Sequence, residues 1–454
     1  MAENKKRTLG IVVAAIFLFA GAVFPHDFIL PKMGATALCV LFAALSLWVT
    51  ESLPMSISTI FMISVSALLG MVSFNDAVSD INTNTMLFIM ASSGITVAIA
   101  NSHIPEIMTA TIVRKTAHKP RTMIIMVSIL VSLCSAFMSS LATCALFNCL
   151  VLVLLKKTDA KPGESNLGRD LMITIPACAG IGGFMTPAGT PANVLLLDIL
   201  SKQGVDVSFL DWCKIGFPLG LLTVVLFSGI LLFVFPPEAL STEGMRIDTK
   251  EKWSTKDTKS SIVVILVILG WFLSSWIPSI SITMVAILGI TIMFLPGINL
   301  LNWETLSAGI NWDLVLTMGT VSVLMTGLSQ SGLSEFISGW LNQRIVALPF
   351  FVMLILLSIV VCALRTFIPT TTAVVALLAP MLIEVSGKTG YRIELLFMIL
   401  AYWTASAMIL VYTEPIYLIT YSNKYYKATD LIKVGVLPSL IMAVVIAATI
   451  PHLI

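Results

Sequence analysis

Long apolar runs separated by short polar joints set the pattern of this chain. A helix needs about 20 apolar residues to cross a bilayer, and runs of that order lie at about 9–24, 34–50, 54–74 and 85–101. An amphipathic stretch, Ile104 to Lys115, follows. Next comes an over-long run, Met123 to Leu155, interrupted by Ser139-Ser140. Beyond a polar loop lie a run broken in its middle, 170–201, and another at 215–235. Pro236 to Ser260 is the one long hydrophilic stretch. After it the order recurs: 261–276, 280–296, 312–328, an amphipathic 333–343, a long run 348–383, a broken span 394–422 and a last helix 433–450.

The run 348–383 has about 36 residues, nearly twice what one span needs, and holds Arg365, Pro369 and Thr370-Thr371-Thr372 at its centre. One straight helix would place the arginine near mid-bilayer, at a cost of several kcal/mol. A hairpin that enters and leaves by one face avoids this. Its tip exposes hydroxyls and backbone groups, which are tolerated only inside protein or around water. The run at 123–155 predicts a second hairpin, with its tip at Ser139-Ser140.

Lysine and arginine placement gives the orientation. With a cytoplasmic N-terminus and two re-entrant hairpins, 19 basic residues fall on the cytoplasmic side, 6 outside, and Arg365 in the membrane. Counting each hairpin as a full span would put the basic 156–169 loop outside. The expectation is an all-α polytopic membrane protein of about eleven transmembrane helices, with two re-entrant hairpins opening to opposite faces. Composition agrees, because a soluble fold could not bury a chain that is 57% hydrophobic and 11% charged. A net charge of +2 without a basic cluster argues against a nucleic-acid partner. Seven cysteines without metal or disulfide spacing, and four scattered histidines, call for no metal and no cofactor. Lys5-Lys6-Arg7 before an apolar run is signal-like, but no small-residue cleavage site follows, so this run reads as a first transmembrane helix.

The halves match in detail. Ser139-Ser140-Leu141-Ala142 corresponds to Thr370-Thr371-Thr372-Ala373 at an offset of 231, and Thr190-Pro191 to Thr413-Glu414-Pro415 at an offset of 223. Trp48 to Pro54 has a looser partner in Trp271 to Pro278. Five spans per copy is an odd number, so the copies are inverted, which is the signature of a secondary transporter with a midplane site. The first break, Gly180 to Asn193, carries four glycines and two prolines. Unwinding there frees carbonyls for a cation and amides for an anion. The alternative is a kinked helix whose threonines bond their own backbone.

Trp48-Val49-Thr50-Glu51-Ser52-Leu53-Pro54 resembles the Trp-x-Thr-Glu-x-x-Pro signature of the divalent anion/sodium symporter family, the INDY-like dicarboxylate and citrate carriers. Gly189-Thr190-Pro191-Ala192-Asn193 looks like that family's fifth-helix loop, and the order of elements is similar over essentially the whole chain. The resemblance implies a first sodium site at Ser135, Ser139, Ser140 and Gly189, and a second at Thr366, Pro369, Thr371 and Tyr412. This chain departs from the family at both tips, where its sodium-coupled members carry Ser-Asn-Thr. Both asparagines are missing, and an amide oxygen is a better hard-cation ligand than a hydroxyl. The sites therefore read as vestigial. Arg365 stands where the first hairpin has Cys134. It either supports an anionic substrate, with carboxylate-matching geometry, or pairs with Glu414, or snorkels; the first two are compatible. Glu51 belongs to the signature and reads as structural.

The resemblance implies a homodimeric, inverted-repeat elevator. Its parts are an N-terminal helix 1–24, scaffold 25–120, and a transport part 121–235 (hairpin 121–156, broken helix 170–201, last helix 215–235). A cytoplasmic linker 236–257 leads to scaffold 258–346 and transport part 347–454 (hairpin 347–384, broken helix 394–422, last helix 433–450). Substrate hydrogen bonds are expected from Ser139, Ser140, Thr190, Thr370, Thr371 and Thr413. The expected function is sodium-independent exchange of C4/C5 dicarboxylates across the plasma membrane, with lipid and the dicarboxylate as partners. The fixed arginine would also discourage return of the empty carrier. The rivals are a sodium- or proton-coupled symporter, with Glu414 as proton carrier, a channel, and an intramembrane enzyme. For the enzyme the chain shows neither an acidic metal cluster nor a nucleophile–base pair.

Overall fold

The computed structural model describes residues 2–23, 32–50, 52–79, 81, 83–116, 119–158, 160–238, 253–277, 279–317, 331, 349–368 and 371–453. Glu51, Pro369, Thr370, the amphipathic stretch 333–343 and most of the linker, 239–252, lie outside the described residues. Among those described, every regular element is helical. In the first half these are α1 (Ala2–Val23), α2 (Lys32–Thr50), α3 (Met55–Leu68), α4 (Phe74–Ser79), α5 (Thr83–Ala100), α6 (Ile104–Thr116), α7 (Pro120–Ser135), α8 (Ser140–Lys157), α9 (Asn166–Met185), α10 (Pro191–Lys202) and α11 (Phe209–Val234). The second half has α12 (Thr255–Leu273), α13 (Ile282–Phe294), α14 (Trp303–Gly309), α15 (Phe350–Phe367), α16 (Thr371–Thr389), α17 (Ile393–Ala405), α18 (Pro415–Tyr421) and α19 (Ala428–Leu453).

Caps and prolines set where these helices begin. Ser165, Ser208, Ser254, Ser281 and Asn302 each accept a backbone N–H in the first turn of α9, α11, α12, α13 and α14, satisfying donors that a helix start leaves open. Four stretches are long and apolar enough to cross a membrane alone: Lys5–Val23, Phe74–Ala100, Phe209–Val234 and Ala428–His452. Seven further apolar helices of 10–17 residues accompany them among the described residues. On α11 and α19, Leu222, Val225, Phe233, Leu437, Leu440 and Val444 are exposed. Such a continuous apolar exterior suits hydrocarbon rather than water.

Three buried clusters organise the interior. One joins α2, α10, α15, α16, α17 and α19; a second joins α7, α8, α9, α11, α18 and the start of α19; a third joins α5, α12 and α13. Lipid tails are as apolar as leucine, so close backbone approach through small residues does much of the packing. A Cβ on Gly182 of α9 would sit 2.3 Å from the Ser132 carbonyl oxygen of α7, and one on Gly216 of α11 would sit 2.4 Å from that of Met185. Polar bonds also stitch the halves together. The Ser56 amide donates to Asp313 Oδ1 at 3.4 Å, and that of His103, just ahead of α6, to Asp257 Oδ1 at 2.8 Å.

Candidate functional site

The second broken helix, α17 to α18, opens between Ser406 and Glu414, and the first, α9 to α10, between Thr186 and Thr190. Each break holds a three-residue 3-10 turn, Pro187–Gly189 or Val411–Thr413, and the helix resumes at a proline, Pro191 or Pro415. The residues before the prolines share one extended conformation: Thr190 has φ −147°, ψ 141° and Glu414 has φ −144°, ψ 144°. Proline at the first helical position explains both, because it suits a helix start and pushes its predecessor into extended space. The backbone therefore aligns Thr190 with Glu414, one residue away from the register that the shared threonines suggest. Helix α8 begins at Ser140, within the first expected tip, whereas the two residues ahead of Thr371 in the second tip lie outside the described residues.

At the first tip, Ser135 Oγ donates to the Ala179 carbonyl at 2.6 Å and lies within hydrogen-bond distance of Ser140 Oγ, at 3.1 Å. A Cβ placed on Gly183 would lie 2.7 Å from Ser140 Oγ and 3.5 Å from the Gly189 oxygen. Three of the expected residues, Ser135, Ser140 and Gly189, thus meet around Gly183. Ser139 is half-buried, and its amide donates to Thr96 Oγ1 of α5 at 3.3 Å. Thr186 locks tip to break, its hydroxyl donating to the Ala136 carbonyl and accepting the Ala188 amide. Asn193 braces the opened backbone, with Nδ2 donating to the Gly183 and Thr186 carbonyls at 2.9 and 2.8 Å, while its Oδ1 is buried without a partner.

At the second tip, Arg365 is 1% exposed. Its Nε donates to the Thr404 carbonyl at 3.1 Å, and Nη1 donates to those of Ile368 and Thr413 at 3.0 and 2.7 Å. Nη2 pairs with Glu414 Oε1, whose side chain is 14% exposed. A guanidinium has five N–H donors, so four are committed to the tip and the break. Of the three readings of Arg365, the fold realises the Glu414 pair. The Thr366 hydroxyl turns back to the Cys362 carbonyl at 2.7 Å, that of Thr413 to Leu410 at 2.7 Å, and that of Thr190 caps α10. These three follow the self-bonding alternative. Thr371 begins α16, and the Tyr412 side chain is 68% exposed.

The two tip–break units touch one another. Cys144 Sγ of α8 donates to the Ile416 carbonyl at 3.2 Å, and a Cβ on Gly180 would sit 2.6 Å from the Ala405 carbonyl. Phe184 meets Tyr402 edge-on at 5.3 Å, and Trp212 Nε1 donates to the Phe184 carbonyl at 2.8 Å. Thr96 and Trp212 had no part in the sequence reading. Thr186 and Asn193 lay within the predicted break, and Asn193 closed the family-like motif, but neither was given a role.

Helix pairs whose tips clasp the breaks of two interrupted helices, inside an apolar all-helical chain, define a multi-pass membrane transporter. The family described as "Sodium:sulfate symporter transmembrane region" matches residues 4–452. The chain belongs to that family. An uncharacterized transporter of Haemophilus influenzae is 22% identical over 98% of this chain and 96% of its own length. The sodium-dependent high-affinity dicarboxylate transporter 3 of Caenorhabditis elegans is 22% identical over 96% of this chain and 87% of its own. Among solved structures, MtrF of Neisseria gonorrhoeae, titled as illuminating a class of antimetabolite efflux pumps, shares the fold. Its TM-score is 0.59 at 13% identity, over 97% of this chain and 94% of that one. The names are those of transporters rather than enzymes.

Proposed function

We propose that this protein exchanges one C4/C5 dicarboxylate (succinate, malate, fumarate or 2-oxoglutarate in type) for another across the plasma membrane, without sodium. The N-terminus is cytoplasmic, the copies are inverted, both helix pairs are re-entrant, and the protein works as a homodimer by an elevator motion. Ser139, Ser140 and Thr371, with the amide-bearing starts of α8, α10 and α16, hold the carboxylates; helix N-termini carry partial positive charge.

One observation carries the sodium independence. The carbonyls of Ile368, Thr404 and Thr413 are oxygens that a tip-and-break cation would use, and the Arg365 guanidinium takes all three. A covalently attached cation beside the second tip supports the reading that no sodium is needed there. Glu414 neutralises it, so the obligatory character of exchange does not rest on an unpaired charge. It rests on energetics: moving a dianion inward against 100 mV costs about 4.6 kcal/mol, and anion-for-anion exchange removes that cost. Counterflow in proteoliposomes, with internal succinate, malate, citrate or sulfate and with or without sodium, tests the reading. Robust uptake into empty vesicles, or counterflow that needs sodium, would defeat it.

A second reading, sodium-coupled symport at a single site, draws on the first tip. Ser135, Ser140 and Gly189 meet there with no cationic side chain among them, and the C. elegans relative is named sodium-dependent. It predicts sodium-driven uptake without internal anion.

A further inference from the structure

Asp170 lies in the second turn of α9, is 0% exposed, and has no hydrogen-bond partner at either carboxyl oxygen. One turn on, along the same helix face, Thr174 is also fully buried with an unpartnered hydroxyl. A bare carboxylate in such a place is strongly disfavoured, and ionisable groups within membrane segments mark ion or proton sites. The repeat sharpens the anomaly. Asp170 and Glu394 both stand 21 residues ahead of the proline that restarts their helix, Pro191 and Pro415. Glu394 is 18% exposed and paired with Arg392 at 3.2 Å. The acid in the first repeat is sealed and alone.

Its surroundings hold few charges. Arg169 turns away, with Nη1 on Asn166 Oδ1 at 2.7 Å, Nε 3.4 Å from Asp430 Oδ2, and the guanidinium 4.7 Å over the Phe235 ring. Glu238 takes the Asn166 and Leu167 amides and the Ser165 hydroxyl at the head of α9. Asp430 also faces Lys433 at 3.8 Å, and the Tyr425 hydroxyl donates to the Ala160 carbonyl. The buried cluster that includes Met123, Ile124, Leu154, Leu155 and Leu171 is mainly apolar, with Cys144, Cys178, Tyr417, Tyr425 and Tyr426 as its titratable members and no charged side chain.

We propose that Asp170 is a proton-binding site that gates the carrier. In the packed state its carboxyl is neutral, having taken one proton from water at the head of α9. Releasing that proton leaves a carboxylate whose nearest available cation is Arg169. Recruiting Arg169 breaks its link to Asp430 and loosens α9 from α19. The proton does not touch the substrate, because Asp170 lies 16 residues from the break, about 24 Å along the helix axis. It sets whether the first broken helix is held rigid. This rests on the reading of the protein as a carrier, but its first test does not.

The first test is infrared spectroscopy of the purified full-length chain in lipid nanodiscs, in H2O and D2O. The expected result is a protonated-carboxyl band at neutral pH that Asp170→Asn removes and Asp170→Glu shifts. A spectrum that neither variant changes overturns the proposal. The second test is the pH profile of anion exchange. Wild type is expected to slow at least tenfold from neutral to strongly alkaline pH. Asp170→Asn is expected to keep the neutral-pH rate with a flat profile. The same alkaline decline in Asp170→Asn also overturns the proposal. If no exchange is found in any variant, the infrared result still decides.

Discussion

Replacing Arg365 by alanine removes four hydrogen bonds and a charge from a site almost closed to solvent. The carbonyls of Ile368, Thr404 and Thr413 and the carboxylate of Glu414 are left facing the vacated space. Removing one partner of a buried ion pair costs about 3–5 kcal/mol, much of it the penalty on the charge left behind. At about 1.4 kcal/mol per factor of ten, the docking of the second tip on its break weakens by about 150- to 4,000-fold. Taking both charges out is far milder, because uncharged groups of similar volume often replace buried pairs at little cost. Thermal unfolding and sodium-free counterflow should therefore rank wild type first, Arg365→Met/Glu414→Gln next, and Arg365→Ala last. The oxygens left behind are hard-cation ligands, so guanidinium ion, or sodium, should partly restore counterflow to Arg365→Ala and do nothing for the double variant. Near-wild-type counterflow in Arg365→Ala without added cation would refute the reasoning, as would equal damage in the single and double variants.

Two further outcomes follow from particular contacts. In Gly182→Ala the new methyl lies 2.3 Å from the Ser132 oxygen and 2.8 Å from its Cα. Backbone cannot yield as a flexible side chain would, so α7 and α9 should part and monodisperse protein be lost on size exclusion. Gly229→Ala, which has nothing within 4 Å, should match wild type. At the joint between α6 and α12, burial alone would push Asp257 up. The Ser254 hydroxyl, the amides of His103 and Ser254, and the His103 ring outweigh it and hold the carboxyl well below the usual carboxylate range. A depressed acid stabilises the fold above its unfolded value near pH 4 and loses that contribution as pH falls. Asp257→Asn should therefore melt lower than wild type at neutral pH, and the gap should narrow below about pH 4. A gap independent of pH would contradict the assignment.

Run length and repeat spacing made the architecture legible. An apolar stretch of about 36 residues with a charge at its centre is too long for one span, and its described parts form two helices, α15 and α16. The breaks were legible for a local reason, since threonine caps a helix start and proline suits its first position. The register between the breaks was not. Two threonines looked equivalent, yet the prolines dictate the backbone and align Thr190 with Glu414. That single step moves Glu414 into the cap position, where its carboxylate meets Arg365. Tyr412 was assigned by resemblance to the second cation site, and its side chain is well exposed. The bonds that Thr186, Thr96 and Asn193 make could not be read from sequence, because they depend on which backbone groups lack partners once two helices unwind. That is a three-dimensional accounting. The sodium question turns on the same accounting: an amide side chain at a tip advertises a cation ligand, whereas three freed carbonyls do not. Whether those carbonyls face an ion or the guanidinium of Arg365 is decided by the chain path that brings the tip to the break.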